Sequence, residues 1–246
     1  FALWVIESEK DISGELPLPD CGLPVIFTDN QKPYKQRKVR ILNGAHTSFV
    51  PAAFLCGYDY VLDAMNDGMI QTFMQKTLYD EVIPTLSLPR EDLTAFAEAV
   101  TGRFMNPYIK HALLSICLNS VSKWRARCMP SLLGYVEKEH KLPPHLTFSL
   151  AALMALYHGG QLKDGALECL RDGQPYTLRD DAAVLAFFAE NNQKSAAELT
   201  RMFLSNTGFF GQDLTQVPGL EAAVAAALED VLTRGMRSVM TERFGG

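Results

Sequence analysis

No apolar run in these 246 residues approaches the ~20 residues that cross a bilayer, so no membrane span is predicted. No basic excess is present either. The 23 lysines and arginines are outnumbered by 28 aspartates and glutamates, for a net charge of −5. Without a polybasic run, neither nucleic acid nor a membrane surface is expected as a partner. The five cysteines, Cys21, Cys56, Cys117, Cys128 and Cys169, show no Cys-x-x-Cys spacing. An odd, dispersed set fits reduced thiols in the cytoplasm better than a disulfide framework or a zinc site. The five histidines, His46, His111, His140, His145 and His158, make no metal-ligand spacing with carboxylates, so no metal is expected. The chain also lacks a Gly-x-Ser-x-Gly elbow, a phosphate-cradling Gly-x4-Gly-Lys-Ser/Thr loop and a Gly-x-Gly-x-x-Gly after a strand. If a nicotinamide cofactor takes part, its pyrophosphate loop belongs outside this chain.

What is present reads as a globular protein, 48% hydrophobic and 21% charged, large enough for one large domain or two small ones. Residues 1–32 differ in texture from the rest. The apolar run Phe1–Ile6 and the stretch Leu23–Thr28 are β-branched and aromatic, hence strand-like, with an acidic, proline-bearing loop from Asp11 to Gly22 between them. The chain opens directly into that first run, with no charged leader and no small-residue cleavage site. The expectation is the tail of a preceding sheet domain and a C-terminal piece of a longer protein; a processed start is the alternative.

From Pro33 onward the pattern is helical. Pro33 suits a first helical turn, and Pro51 reads as the opening of a short second helix ended by Gly57. Amphipathic stretches follow over residues 63–76 and 78–86, then 87–100, ended by Thr101-Gly102. Asn106-Pro107 reads as N-cap and first turn of the longest helix, running to about Ala126 and apolar on nearly every side. On it His111, Ser115, Asn119 and Lys123 recur every four residues as a polar stripe, facing either a water-filled cleft or an interhelical hydrogen-bond network. Pro143-Pro144 precedes an apolar helix over 146–157. Two Asp-Gly turns between 163 and 181 predict a small surface hairpin, and three helices over 181–191, 195–205 and 218–240 complete the chain.

The stretch with most chemistry is Lys38-Val-Arg-Ile-Leu-Asn43-Gly-Ala-His46. At 100° per residue, Asn43 and His46 lie about 60° apart, Lys38 and His46 about 80°, and all three within roughly 140°. The alternative on spacing alone is a solvated face with one satisfied histidine. Gly44, costing ~0.5–1 kcal/mol in a helix interior, predicts close approach of a backbone or a ligand. Arg103, placed by this reading just ahead of a helix N-terminus, suits a carboxylate ligand, or else an ion pair with Glu81 or Glu98.

The pattern Lys38-x4-Asn43-x2-His46 resembles the signature of the long-chain polyol dehydrogenase (mannitol dehydrogenase) family. The strings Lys38–Thr47, Thr101–His111, Leu118–Lys123 and Asp213–Gly219 resemble its tagaturonate reductase (altronate oxidoreductase) branch, and the similarity runs from Leu3 to Met240. The resemblance implies a mainly α, multi-helical C-terminal domain like that of 6-phosphogluconate dehydrogenase, with a short strand-bearing N-terminal segment. It implies that residues 1–32 end a missing nucleotide-binding domain and that residues 33–246 form the substrate-binding and catalytic domain. NAD is the implied cofactor, held mostly by the chain's own N-terminal Rossmann domain, and the implied reaction interconverts D-tagaturonate and D-altronate without a metal. Lys38 takes the role of general acid/base, and Asn43 and His46 those of substrate-oxygen ligands. Arg103, Asn106, His111 and Lys123 are candidates for holding the hydroxyls and carboxylate of a sugar acid. A fructuronate reductase or mannitol 2-dehydrogenase relative is the first alternative. A non-enzymatic helical interaction module is the alternative from another class.

Overall fold

A computed structural model describes residues 3–245. Phe1 and Ala2 of the opening run lie outside the described residues. The two strand-like stretches form β1 (Trp4–Glu7) and β2 (Val25–Thr28), paired in parallel from Trp4 against Val25 to Glu7 against Thr28. Glu7 then accepts the backbone N–H of Gln31 at 2.7 Å, which ties the end of β1 to the entrance of the helical region.

The first helical rod is one continuous element rather than two. It begins as α1 (Lys32–Arg37), widens into a π-helical turn over Lys38–Asn43, and narrows again into α2 (Gly44–Leu55). Pro51 therefore lies inside α2 and opens no second helix. Every residue of α2 except His46 and Leu55 is buried. Such a helix has no polar face to offer water and must sit at the centre. Gly44 is required by that centrality. A Cβ there would stand 3.3 Å from the backbone oxygen of Arg127, so the close approach predicted for this glycine is made by another backbone.

After α3 (Val61–Met65), Asp67 caps α4 (Gly68–Lys76) by accepting from the backbone of Met69 and Ile70. A second π-helical turn, Thr77–Val82, follows. It carries Glu81, which is fully buried and accepts from His145 N and Nδ1 and from Leu146 N at 2.6–2.7 Å. This carboxylate caps α9 (Pro144–Tyr157), a helix buried from His145 onward. The core stacks α2 on α9, α9 on α13 (Leu220–Arg234), and α13 on α11 (Ala196–Leu204).

Three expectations are corrected, two in the middle of the chain and one at its end. Helix α5 (Arg90–Phe104) passes through Thr101-Gly102, so Arg103 lies in the last turn of a helix and not ahead of the next. The single long helix over 106–126 does not exist. Residues 107–112 form a loop, pinned where Val61 N donates to His111 O at 3.0 Å and Leu113 N to Asp59 O at 2.8 Å. Short helices α6 (Leu113–Ile116) and α7 (Ser120–Arg127) follow, separated at Asn119, whose φ of 53° ends helical continuation. The four-residue polar recurrence is thus broken across a loop, two helices and a left-handed junction. Finally, the last helix is two: Gly235 at φ 81° divides α13 from α14 (Met236–Phe244).

Helix α8 (Met129–Glu139) continues from α7. The predicted hairpin is a three-stranded antiparallel sheet, β3 (Gln161–Lys163), β4 (Ala166–Arg171) and β5 (Gln174–Leu178). Both Asp-Gly pairs have positive φ, 49° and 74° at Asp164-Gly165 and 52° and 78° at Asp172-Gly173, as a type I′ turn demands. The sheet is no loose excursion, because Leu167, Cys169, Tyr176 and Leu178 are buried and the Tyr176 hydroxyl donates to Leu156 O at 2.6 Å. Helices α10 (Ala182–Glu190) and α12 (Thr207–Phe210) complete the described elements. No helix among the described residues is long and apolar enough to cross a membrane.

Candidate active site

Two adjoining cavities meet at the π-helical turn. The first encloses about 240 Å³ and is lined by Asn43 and His46 from the first rod, Arg103 and Phe104 from the end of α5, and Asn106 and His111 from the pinned loop. The second encloses about 350 Å³ between β1, the first rod and α5, and is lined by Tyr34, Lys35, Arg37, Lys38 and Phe96 among others. Leu42 and Arg103 line both. The structure thus gathers Asn43, His46, Arg103, Asn106 and His111 in one cavity, with Lys38 next door across Leu42.

His46 is the centre of the first cavity. Its ring lies 4.0 Å, centroid to centroid, from Phe104, and His111 meets it edge-on at 5.3 Å. Burial lowers its pKa to about 3, aided by the nearby charges of His111, Arg127 and Arg103. At neutral pH it is a neutral imidazole, and its buried Nε2 has no hydrogen-bond partner among the described residues. A buried polar atom left unpaired costs ~1–3 kcal/mol, so a ligand oxygen at this nitrogen would recover a lost interaction.

The other members differ in how they are committed. The side-chain oxygen of Asn106 accepts from Tyr108 N at 3.0 Å, leaving its NH2 for the cavity. Arg103 is exposed and makes no ion pair among the described residues; Glu81, one suggested partner, is spent on α9. Lys38 is also exposed, with its side chain at the mouth of the second cavity. Lys123 stands apart: its Nζ donates to Ile116 O at 2.9 Å, closing the end of α6, and it lines neither cavity. Ser115 donates to Ala112 O, and Asn119 is an exposed junction residue, so neither joins the site.

Three further arginines border the site: Arg37 and Arg40, whose positive charge beside Lys38 the sequence offered, and Arg127, which it did not. Arg127 donates to Thr47 Oγ1 at 3.2 Å and adds positive charge behind His46. Arg37 is buried and lies over the rings of Phe96 and Tyr34, at 4.7 and 5.5 Å. Arg40, buried and held by Ser131 and Thr85 with no carboxylate partner among the described residues, has a pKa lowered by burial to about 10. Among the described residues no group of three or more His, Cys, Asp or Glu side chains could hold a metal ion. The passage from β2 into α1 through Asp29–Gln31 contains no glycine and so does not fit a dinucleotide pyrophosphate.

The sequence model described as "Mannitol dehydrogenase C-terminal domain" matches residues 30–232. An altronate oxidoreductase from Klebsiella pneumoniae (strain 342) is 48% identical, the similarity covering 98% of this chain and 49% of the relative. The altronate oxidoreductase of Escherichia coli O7:K1 (strain IAI39 / ExPEC) is 46% identical over the same shares. The chain therefore spans about half the length of the curated relatives it matches. In three dimensions it is similar to the Pseudomonas fluorescens mannitol 2-dehydrogenase, solved as a ternary complex with NAD and D-mannitol. The TM-score is 0.80 at 23% identity, covering 98% of this chain and 46% of the other. A substrate-free D-sorbitol dehydrogenase gives a TM-score of 0.75 at 20% identity, covering 98% of this chain and 46% of that one. At these identities the two structures speak for the fold, which is the mainly helical one expected.

Proposed function

Because the chain belongs to the mannitol dehydrogenase C-terminal domain family, we propose that it is the substrate-binding and catalytic half of an NAD-dependent oxidoreductase interconverting D-tagaturonate and D-altronate. Residues 1–32 then end a nucleotide-binding Rossmann domain, and residues 33–246 form the substrate domain. One observation carries this reading. Five polar side chains from three separate elements line a single cavity around an unpartnered imidazole nitrogen, and an exposed lysine borders the adjoining cavity.

NAD bound to the other half supplies hydride exchange at the reacting carbon. The residues of this chain handle the oxygen and its proton. Lys38 gives a proton to the ketone oxygen in reduction and takes it from the alcohol in the reverse direction. Asn43 and neutral His46 donate hydrogen bonds to that oxygen and hold the negative charge that develops on it. The rigid wall of Phe104 and His111 fixes the imidazole plane, so little reorganisation is needed. Arg103, Asn106 and His111 hold the remaining hydroxyls and the carboxylate. Lys123, fixed on Ile116, is withdrawn from the substrate-binding set.

The relatives' name, altronate oxidoreductase, supports the acid substrate over a neutral polyol. Isothermal titration of the full-length enzyme with altronate and with mannitol, NAD present, tests it. Tighter binding of altronate is expected; a preference for mannitol would move the substrate assignment to the neutral polyols.

A further inference from the structure

The second cavity is lined by a cation that no carboxylate contacts among the described residues. Arg37 is 92% buried by accessible surface, at 8% exposure, yet its Nε has no hydrogen-bond partner and no carboxylate pairs with it among the described residues. Asp92 and Tyr34 act on it only through space. Its guanidinium lies over the faces of Phe96 and Tyr34, which hold the fork in place with the Nε donor unspent. The cavity it lines also presents Lys35, Lys38 and Arg103, and among the described residues no acidic side chain. Burying a guanidinium without a partner is unfavourable, and an incoming oxyanion removes that cost.

We propose that this cavity is an anion subsite in which Arg37, with Arg103 at its border, takes the carboxylate of the substrate. Arg37 is then the residue that separates sugar acids from neutral polyols. The inference rests on the proposed reaction and adds to it. Arg103 alone, exposed and screened by water, discriminates weakly, whereas a desolvated guanidinium rejects a ligand that leaves it unpaired. Arg103 borders both cavities, so an open-chain sugar acid can span them, its carbonyl by His46 and Lys38 and its carboxylate on Arg37.

The test compares altronate with altritol, the same polyol with CH2OH in place of the carboxylate, by isothermal titration of the full-length enzyme with NAD present. The wild type is expected to prefer altronate, and Arg37→Met to lose that preference by at least ~30-fold with altritol binding nearly unchanged. Arg37→Lys, which keeps the charge without the fork, is expected to fall between. If Arg37→Met retains the full preference, this inference is overturned while the proposed reaction stands. If the wild type itself prefers altritol, the proposed reaction fails. Should Arg37→Met not fold, the Arg37 Nε–H resonance of the wild type decides: it must shift on addition of altronate but not altritol, and an unshifted resonance overturns the assignment.

Discussion

The imidazole of His111 meets that of His46 edge-on, with ring centroids 5.3 Å apart and planes at 80°. One ring comes from the central rod and the other from a loop pinned to Asp59–Val61, so the contact joins two parts of the chain at the candidate site. It also adds to the burial that keeps His46 neutral.

That neutrality has a consequence for stability. An unfolded histidine titrates near 6.5, whereas His46 in the folded protein titrates near 3. Between these values the unfolded chain binds a proton that the folded chain does not, so stability falls as pH drops below about 6.5 and levels off near 3. The contribution is on the order of 1–3 kcal/mol after allowance for partial exposure. Urea unfolding from pH 7 to pH 4 should show a falling midpoint in the wild type and a flatter profile in His46→Gln. Equal slopes would show that His46 is not the titrating group.

Gly44→Ala should destabilise the protein by about 1 kcal/mol, although alanine is the better helix former. The new methyl would press on Arg127 O, part of a helix whose neighbour Cys128 already contacts Gly44 O through its thiol at 3.6 Å. Thermal unfolding reads the sign directly, and a raised Tm would mean that α7 yields at no cost.

Glu81→Ala should be severe, costing roughly 3–5 kcal/mol, because it strips three hydrogen bonds from the buried start of α9. Glu81→Gln keeps the shape and one acceptor and should cost less. Denaturant midpoints at unchanged m would check the order; equal losses would show that packing, and not the carboxylate, holds α9.

What the sequence made legible was local. Alternating and helical periodicities, Asp-Gly turns and capping residues placed β1, β2, the hairpin at 172–173 and most helices. The Lys38–His46 stretch stood out as a candidate site through its resemblance to the mannitol dehydrogenase signature, since its spacing alone left a solvated face with one satisfied histidine open. The failures were tertiary. Asn106-Pro107 has the chemistry of a helix start, but the pinning of His111 and Leu113 to the 59–61 segment pulls it into a loop, and the left-handed Asn119 breaks what periodicity continued. The π-helical turn at 38–43 carries no composition signal, so a rotation of about 100° per residue was assumed through a stretch that does not follow it. Nothing at a spacing of 64 residues announced that Glu81 and His145 would pair, nor that Arg37 would be buried without an acid.

The most direct test is Lys38→Ala in the full-length enzyme, read as kcat for tagaturonate reduction alongside the unfolding midpoint. Lys38 is exposed and its side chain makes no hydrogen bond among the described residues, so truncating it should leave the midpoint unchanged. As the proton donor to the ketone oxygen, its loss should lower kcat by about 10²–10⁴-fold. A Lys38→Ala enzyme with near wild-type kcat would contradict the assignment of proton transfer to this residue.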